Sequence, residues 1–505
     1  MLFLTMAKYK TYDYRQRVFL PVSLEDQLMP GTLEFAIHIL VEKRLDLSIF
    51  NGKYRNDETG RAAYDPKVLL KVVLLAYSRG LISSRKVEQA CRENVVFVAL
   101  ACGQQPDHST IAAFVSSMKD EILPLFSDVL LVCEEMNLLG GTMFALDGCK
   151  LPSNASKEWS GTFPELHKKK QKIEAKVAQL LEEQVQADRG QDDPPDPGNS
   201  GSSRQQQAEK LQKKAEQIGQ WLTENRPKMG AAGREKQSNI TDNDSATMMT
   251  SHGIVQGYNS QALIDAKHQV IVHGEAFGNG QDHGHIPPML AGAVANLQSL
   301  GHEPDYFKGK VLTADSNYHT QVNLKECQEL GLDAYIPDRK FRKRDPRFAT
   351  QKRRQVRRFT LKDFHHDEVM DRYICPDGKI LKLAVKRVLT HGHLYRKYLA
   401  AEEDCQGCPL RPRCIYASGA KRKMLLVPFG ESLSRQMVEK IETAEGRRIY
   451  PQRLAIAEPV FANIRINKRL DRFTLRGKIK VNIQWLMYCL VHNIEKILNY
   501  GLAYA

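Results

Sequence analysis

Two short apolar runs, each followed at once by an aspartate, constrain the fold of this chain more than any other feature. Residues 142–146 (Thr-Met-Phe-Ala-Leu) precede Asp147, and residues 311–314 (Val-Leu-Thr-Ala) precede Asp315. Short apolar runs bounded by turn signals are typical of buried strands. Each strand is predicted to end at its aspartate, so the sequence predicts a sheet that presents two carboxylates at strand ends.

The segments between and after these runs predict a mixed α/β sheet. Beyond Asp147 the predicted elements are a β-hairpin (257–265 and 270–276), a helix (286–300), the strand at 311–314, a helix (322–330) and a strand (333–336). The chain is thus predicted to have a strand that ends at Asp147, then further strands, and then a strand, a helix and a strand around Asp315. This order of elements is typical of an α/β domain and not of a helical bundle or a sandwich.

Length and composition bound the class of protein. A chain of 505 residues is long enough for two to four domains. Its mean hydropathy of −0.43, and the lack of any run near the roughly 20 apolar residues that cross a bilayer, exclude a membrane protein. Residues 1–6 lack the charged lead of a signal peptide, so a cytosolic protein is expected.

A net charge of +14 favours a polyanionic partner, although basic surfaces also serve solubility.

Residues 1–140 are predicted to form a helical domain. Asp65 is an N-cap followed by proline at the first helical position, a second helix begins near Ser84, and a third begins near Asp107 and continues through Met118. Short helices joined by tight turns fit either a DNA-binding helix-turn-helix module or a small helical bundle.

Residues 165–228 are rich in Lys, Glu and Gln and predict a pair of helices. The apolar positions, at spacings of three and four, are Ile173, Val177 and Leu180 on one arm and Ala208, Leu211, Ala215, Ile218 and Leu222 on the other. Residues 191–203, dense in Pro, Asp, Gly and Ser, are predicted to be a flexible tip. This helical hairpin is interpreted as an insertion into the sheet domain.

The two strand-end aspartates suit a site for hard divalent cations, because such cations prefer oxygen ligands and adjacent strand ends are close in space. Two cations about 3.5–4 Å apart can assist both the attacking and the leaving oxygen in phosphodiester chemistry. The alternative is that each aspartate only caps a turn. Asp242, Asp265 and Asp282 are rival carboxylates, and Asp265 falls at a predicted hairpin turn, so all three are left outside the site.

A third acid is found near the C-terminus. Tyr450 and Arg453 precede Glu458, and Arg465 follows it by seven residues, so Glu458 and Arg465 could share one helical face. Pro459 favours a helix that starts near Glu458 over one that runs through it.

These motifs resemble those of the DDE transposases of bacterial insertion sequences, in the branch with a Tyr-Arg-Glu-Lys signature. Tyr450, Arg453, Glu458 and Arg465 match the four signature positions, with four residues instead of three between Arg453 and Glu458 and with Arg465 replacing lysine. The resemblance also covers residues 145–148, 257–261, 314–318, 475–477 and 492–493.

The resemblance implies a ribonuclease-H-like catalytic domain built from residues 141–338 and 441–505, preceded by the helical, DNA-binding residues 1–140. A basic, cysteine-rich insertion at 339–440 would interrupt it. The protein is then expected to be associated with the bacterial nucleoid and to act as a homodimer or a higher oligomer on DNA.

The resemblance also implies a chemistry. Asp147, Asp315 and Glu458 would be the catalytic acids and would bind Mg²⁺ or Mn²⁺ for cleavage and strand transfer at transposon ends. Tyr450 and the basic residues of the signature, Arg453 and Arg465, would hold DNA near the scissile phosphate. Two alternatives stay open: a catalytically inactive, domesticated DNA-binding protein, and a metal-dependent nuclease that cuts without joining.

A basic tract extends from Arg339 to Lys362. Twelve of its residues are Lys or Arg, and Asp345 is its one acid. Its position between the second and third acids favours contacts with the phosphate backbone of DNA over a merely solvated face. The arginines assigned to this role are Arg353, Arg354, Arg357 and Arg358.

Four of the ten cysteines fall in one region. Cys375, Cys405, Cys408 and Cys414 have spacings that suit a tetrahedral, structural Zn²⁺ site. The alternative is four reduced thiols in a loop-rich insertion. The other six cysteines occur singly and are interpreted as buried thiols.

Overall fold

The computed structural model of the protein describes residues 23–53, 62–189, 201–230, 233–250, 253–345, 358–390, 393–417, 419–428 and 433–501. Among the helices in these ranges, none is both long and apolar enough to cross a bilayer.

The N-terminal region is helical, as predicted. Its helices are α1 (Leu33–Lys43), α2 (Pro66–Ser78), α3 (Ser84–Glu93), α4 (Val95–Leu100), α5 (His108–Ser116) and α6 (Ile122–Glu135). The Asp65 carboxylate accepts a hydrogen bond from the backbone N–H of Lys67 at 2.8 Å, and Asp107 caps α5 in the same way. Both predicted helix starts are therefore confirmed, although α5 ends at Ser116, short of Met118.

The second helix lies at the centre of this region. Nearly every residue of α2 is buried, and α1, α2 and α6 all contact the C-terminal helix at Lys478–Tyr500. One continuous apolar core joins these helices to the central sheet. The N-terminal helices thus pack directly on the domain that carries the aspartates.

The central part of the chain forms a mixed sheet covered by helices. Its elements are β1 (Met143–Pro152), β2 (Ser160–Gly161), α7 (Phe163–Arg189), α8 (Gly201–Glu224), β3 (Lys228–Met229), β4 (Glu235–Lys236), β5 (Ser238–Asn239), β6 (Ala246–Thr250), β7 (Gly253–Asp265), β8 (Ile271–Phe277), α9 (Ile286–Ser299), β9 (Val311–Ala314), α10 (Gln321–Glu329) and β10 (Asp333–Tyr335). Strands β10, β9, β1 and β7 lie side by side in that order, with β6 and β8 both paired to β7. Strand β9 is parallel to β1 and to β10, whereas β7 is antiparallel to β1, β6 and β8. The predicted mixed α/β sheet is confirmed.

Strand β1 does not end at Asp147, contrary to the sequence-based prediction. It continues to Pro152 because the long strand β7 pairs with it from Phe144 onward. The parallel partner β9 stops at Ala314, which pairs with Leu146. Asp147 and Asp315 are therefore the next residues after the last β1–β9 pair, which places them side by side.

Helices α7 and α8 pack against each other through the predicted apolar positions. Ile218 and Leu222 lie in one buried cluster, and Val177, Leu180 and Ala208 lie in another. Helix α8 starts at Gly201, so residues 201–203 are helical and do not belong to a flexible tip. Residues 191–200 of that predicted tip lie outside the described residues.

The remaining elements form a small antiparallel sheet and a set of helices. They are α11 (Phe341–Arg344), β11 (His365–Asp367), β12 (Arg372–Ile374), β13 (Ile380–Thr390), β14 (His393–Ala400), α12 (Glu402–Gln406), α13 (Arg411–Cys414), β15 (Met424–Pro428), α14 (Leu433–Glu442), α15 (Ala444–Ile449), α16 (Gln452–Ala462) and α17 (Lys478–Tyr500). Strands β11 to β15 pair in sequence order and enclose a separate core that includes Tyr373, Leu381 and Tyr398. Of the basic tract, residues 346–357 lie outside the described residues, and these include Arg353, Arg354 and Arg357.

Candidate active site

Asp147 lies within β1, and its carboxylate faces α16. It forms an ion pair with the guanidinium of Arg453 on that helix. It also accepts a hydrogen bond from the backbone N–H of Gly148 at 2.9 Å. Burial raises the pKa of Asp147 to about 6 against the opposing effect of Arg453, and the nearby Asp315 carboxylate adds to the rise. The site therefore holds two carboxyl groups close together where water is largely excluded.

Asp315 follows β9 and opens a short 3₁₀ turn. Its carboxylate accepts a hydrogen bond from the backbone N–H of Asn317 at 2.7 Å. It therefore does cap a turn, which was the alternative role considered for it, while lying beside Asp147. Burial also raises the pKa of Asp315, and the neighbouring Asp282 acts in the same direction.

Glu458 lies inside α16, which starts at Gln452. The expectation of a helix start near Glu458 is wrong, and the reason is a tertiary contact. Pro459 has no N–H to donate to the carbonyl of Ala455. The side-chain amide of Gln269 donates to that carbonyl instead, at 2.9 Å, so the helix can continue through the proline.

The three acids line two cavities. One, of about 470 Å³, is lined by Asp147, Glu458 and Arg465 among others, and Arg465 is carried there by a π-helical turn at Asn463–Asn467. The other, of about 410 Å³, is lined by Asp315 and Arg453. Across the residues that the structure describes, no three His, Cys, Asp or Glu side chains are grouped so as to hold a metal ion.

The second cavity is basic and aromatic. The first arginines of the basic tract, Arg339 and Arg342, line it together with Phe341 and Tyr450. The Tyr450 and Phe341 rings meet edge to face with their centroids 5.3 Å apart. The start of the tract thus lies beside Asp315, where its place in the sequence between the acids had suggested. Arg358, farther along, stacks over the Tyr416 ring at 4.5 Å.

Two of the rival acids have structural partners. The Asp265 carboxylate accepts hydrogen bonds from the backbone N–H groups of Gly140 at 3.0 Å and Gly141 at 2.8 Å, and so fixes the loop that leads into β1. The Asp242 carboxylate accepts one from the Tyr258 hydroxyl at 2.9 Å. Neither side chain lines the two cavities.

Four buried polar side chains lie next to Asp315, namely Asn259, Gln261, Asp282 and Tyr318. No role in the site was predicted for them from the sequence: Asp282 was set aside as a rival acid, and the other three appeared only within segments of the family resemblance. Asn259 and Gln261 lie on the same face of β7, because strand side chains alternate. Two amides at alternate positions of β7 were a signal in the sequence that could have revealed this set.

The His492–Asn493 pair, which is part of the family resemblance, lies in α17 away from the acids. The Asn493 side chain accepts a hydrogen bond from the backbone N–H of Ile271 and donates one to its carbonyl, each at 2.9 Å. His492 Nε2 donates to the Gln269 carbonyl at 2.9 Å. These residues fasten α17 to β8 and its preceding turn.

The four clustered cysteines line one small cavity. The backbone N–H of Lys379 donates to Cys375 Sγ at 3.3 Å, and that of Lys423 donates to Cys405 Sγ at 3.4 Å. All ten cysteines of the chain are free thiols, and of the six outside this cluster Cys102 is exposed and Cys149 half-buried, so the expectation that all six are buried is wrong. The structure therefore brings these four cysteines together around one cavity.

Comparison with known families gives two matches. Residues 374–498 match the family described as "Transposase DDE domain", and residues 22–117 match the family described as "Transposase domain (DUF772)". No curated protein matches the chain. Together the two matches indicate a DDE-type transposase of an insertion sequence. Glu458 falls inside the first matched segment, whereas Asp147 and Asp315 fall outside both.

Proposed function

We propose that the protein binds transposon ends and catalyses metal-dependent cleavage and strand transfer of DNA. The observation that carries this proposal is the side-by-side placement of Asp147 and Asp315 after the last β1–β9 pair, in a chain with two transposase-family matches. The strand order, with an antiparallel β8–β7–β1 half and a parallel β1–β9–β10 half, supports a ribonuclease-H-like catalytic domain.

The acids fit Mg²⁺ or Mn²⁺ by their chemistry. Carboxylate oxygens are preferred ligands of both ions. The Asp147 and Asp315 carboxylates repel each other in a buried setting, and the Arg453 guanidinium already supplies a positive charge beside Asp147. Asp147 and Asp315 would hold the metal, with Glu458 as the third acid. When bound, such ions stabilise negative charge on the oxygens of a phosphodiester undergoing displacement.

The arginines around the second cavity would bind the DNA backbone. Arg339, Arg342 and Arg453 line it beside Asp315, and phosphate contacts of this kind fix the register of a protein on DNA. Tyr450 would support the strand near the scissile phosphate, and Arg465 would contact DNA from the first cavity. Arg358, with Arg353, Arg354 and Arg357 from the sequence, would extend the same backbone contact.

Conservative substitution of the acids tests this function. Asp147→Asn, Asp315→Asn and Glu458→Gln are each expected to abolish Mg²⁺-dependent cleavage of duplexes carrying the DNA ends that flank the gene, with DNA binding retained. Near-normal cleavage by one variant removes that residue from the site.

The same assay separates the alternatives. Wild-type protein that binds these ends without cutting them supports a domesticated DNA-binding protein, and cutting without joining supports a nuclease.

We also propose that Cys375, Cys405, Cys408 and Cys414 hold a structural Zn²⁺ ion. Their thiols line one cavity, and the backbone N–H groups directed at Cys375 and Cys405 would stabilise thiolate charge. Four thiolates fill a tetrahedral Zn²⁺ site, so the role of the metal would be to stabilise the small β-sheet.

A further inference from the structure

A buried polar network adjoins the turn that carries Asp315. One carboxylate oxygen of Asp282, Oδ1, accepts hydrogen bonds from the side-chain amides of Asn259 at 2.7 Å and Gln261 at 2.9 Å. The side-chain oxygen of Gln261 in turn accepts a hydrogen bond from the Tyr318 hydroxyl. These side chains are buried, so little water competes for the bonds.

Tyr318 connects this network to Asp315. It is the last residue of the 3₁₀ turn at Ser316–Tyr318, which the Asp315 side chain caps. Its backbone N–H donates to the Asp315 carbonyl at 3.2 Å. A fixed Tyr318 ring therefore restricts the turn and, with it, the direction of the Asp315 carboxylate.

A second set of hydrogen bonds joins the segment that contains Asp282 to the turn that follows Asp315. These bonds are accepted by backbone carbonyl groups. The side-chain amide of Asn323 donates to the carbonyl of Tyr318 at 2.9 Å and to that of Asp282 at 3.4 Å. The Thr320 hydroxyl donates to the carbonyl of His283 at 2.8 Å. The segment that contains Asp282 is thus held against the turn that follows Asp315.

The network also reaches the strand that carries Asp147. Gln261 pairs across the strands with Gly148. A Cβ atom on Gly148 would lie 2.0 Å from Gln261 Nε2 and 3.0 Å from Asn259 Oδ1, so the residue after Asp147 has to be glycine for these amides to fit. Because strand side chains alternate, the amides lie on the sheet face opposite to Asp147.

We propose that Asp282 is a positioning residue for the cation site at Asp147 and Asp315. It orients the Gln261 carboxamide, which holds the Tyr318 hydroxyl and thereby the Asp315 carboxylate. This inference rests on the proposed function. If Asp282 had only a general structural role, its loss would weaken metal binding and DNA binding alike. As a positioning residue, it should affect metal binding more than DNA binding.

The test measures Mn²⁺ affinity by calorimetry and the Mg²⁺ dependence of end cleavage, both on the full chain. Asp282→Ala is expected to weaken Mn²⁺ binding about 10-fold or more, the range found for residues that orient metal ligands. Raised Mg²⁺ should restore part of its cleavage, and its affinity for DNA should stay at the wild-type value. Tyr318→Phe, which keeps the ring and removes the hydroxyl, should shift Mn²⁺ affinity in the same direction.

Asp242→Ala is the matched control, because Asp242 is also a buried acid that accepts a hydrogen bond from a tyrosine of β7. It is expected to lower the melting temperature without changing Mn²⁺ affinity. Wild-type Mn²⁺ affinity in a folded Asp282→Ala protein would overturn the inference, and if that variant does not fold, wild-type affinity in Tyr318→Phe would do so. A wild-type chain that binds no Mn²⁺ and cuts no DNA would instead overturn the proposed function.

Discussion

The guanidinium of Arg453 is ion-paired with the carboxylate of Asp147, so the first proposed catalytic acid already has a cation beside it. Both side chains are largely buried, with 12% of Arg453 and 19% of Asp147 exposed. A divalent cation at this position would compete with the guanidinium for Asp147. The phosphate backbone of bound DNA, being an anion, would compete with Asp147 for the guanidinium.

Removing this arginine is predicted to lower stability and to strengthen metal binding. Arg453→Ala leaves Asp147 buried without its cation, a change that costs on the order of 3 kcal/mol when one partner of a buried pair is lost. Added Mn²⁺ should raise the melting temperature of this variant more than that of the wild type. Arg453→Lys keeps the charge and is the control. Equal Mn²⁺ responses in wild type and Arg453→Ala would show that the pair does not restrain the metal.

Metal affinity is predicted to depend on pH through Asp147. Because burial raises the pKa of Asp147 to about 6, the carboxyl group is protonated below that pH and must lose its proton to bind a cation. Mn²⁺ affinity, measured by titration from pH 5 to 8, should therefore fall as pH drops through about 6.

The raised pKa of Asp147 also predicts how the stability of the metal-free protein depends on pH. Metal affinity should rise with pH, whereas this group should make the folded state less stable as pH rises. The folded protein holds the proton of Asp147 at pH values where the unfolded chain, with a pKa near 3.9, has lost it. Between about pH 4 and 6, in the absence of metal, this group makes the folded state less stable as pH rises. Denaturation curves at pH 4.5 and 7 give the change in the free energy of unfolding between the two pH values. The contribution of Asp147 to this change should be absent from Asp147→Asn. Identical pH slopes for variant and wild type would contradict the shift.

Zinc is predicted at about one equivalent per chain, because one set of four thiols suits one tetrahedral ion. Elemental analysis of protein purified without added metal provides the measurement. Cys405→Ser and Cys408→Ser should each reduce the zinc content, whereas Cys102→Ser, at an exposed cysteine of the N-terminal region, should not. If zinc is absent, or if the first two substitutions do not reduce it, the zinc proposal is wrong. The cluster is then four reduced thiols.

The basic tract is predicted to bind phosphates without reading sequence. Replacing Arg353, Arg354, Arg357 and Arg358 with alanine should flatten the dependence of log affinity on log salt by up to about 4 units, at about 0.9 per phosphate contact on duplex DNA. Specific and random duplexes should weaken by similar factors, because phosphate contacts carry little base information.

Three exposed lysines on α8, Lys210, Lys213 and Lys214, supply a control substitution that should leave the slope unchanged. An unchanged slope in the arginine variant would mean that the tract is a solvated face. A loss confined to the transposon end would mean that it reads sequence or DNA shape.

The sequence by itself determined the features that depend on neighbouring residues. The buried strand at 311–314 is present with its predicted bounds, and the helix starts at Asp65 and Asp107 are set by side chains that bond to backbone N–H groups two or three residues away. The apolar face of each of the helices α7 and α8 follows from spacings of three and four within that helix. Such features are readable because both partners lie within a few residues of each other.

Only the tertiary structure decided the features whose partners are distant in sequence. Strand β1 passes through Asp147 because β7 pairs with it, more than a hundred residues later. Helix α16 passes through Pro459 because Gln269 bonds to the carbonyl that the proline leaves free. Asp282, set aside as a rival acid, lies beside Asp315 because the amides of β7 hold it there. The free energy of each buried polar group depends on a partner from another element, and no local pattern records which partner that is.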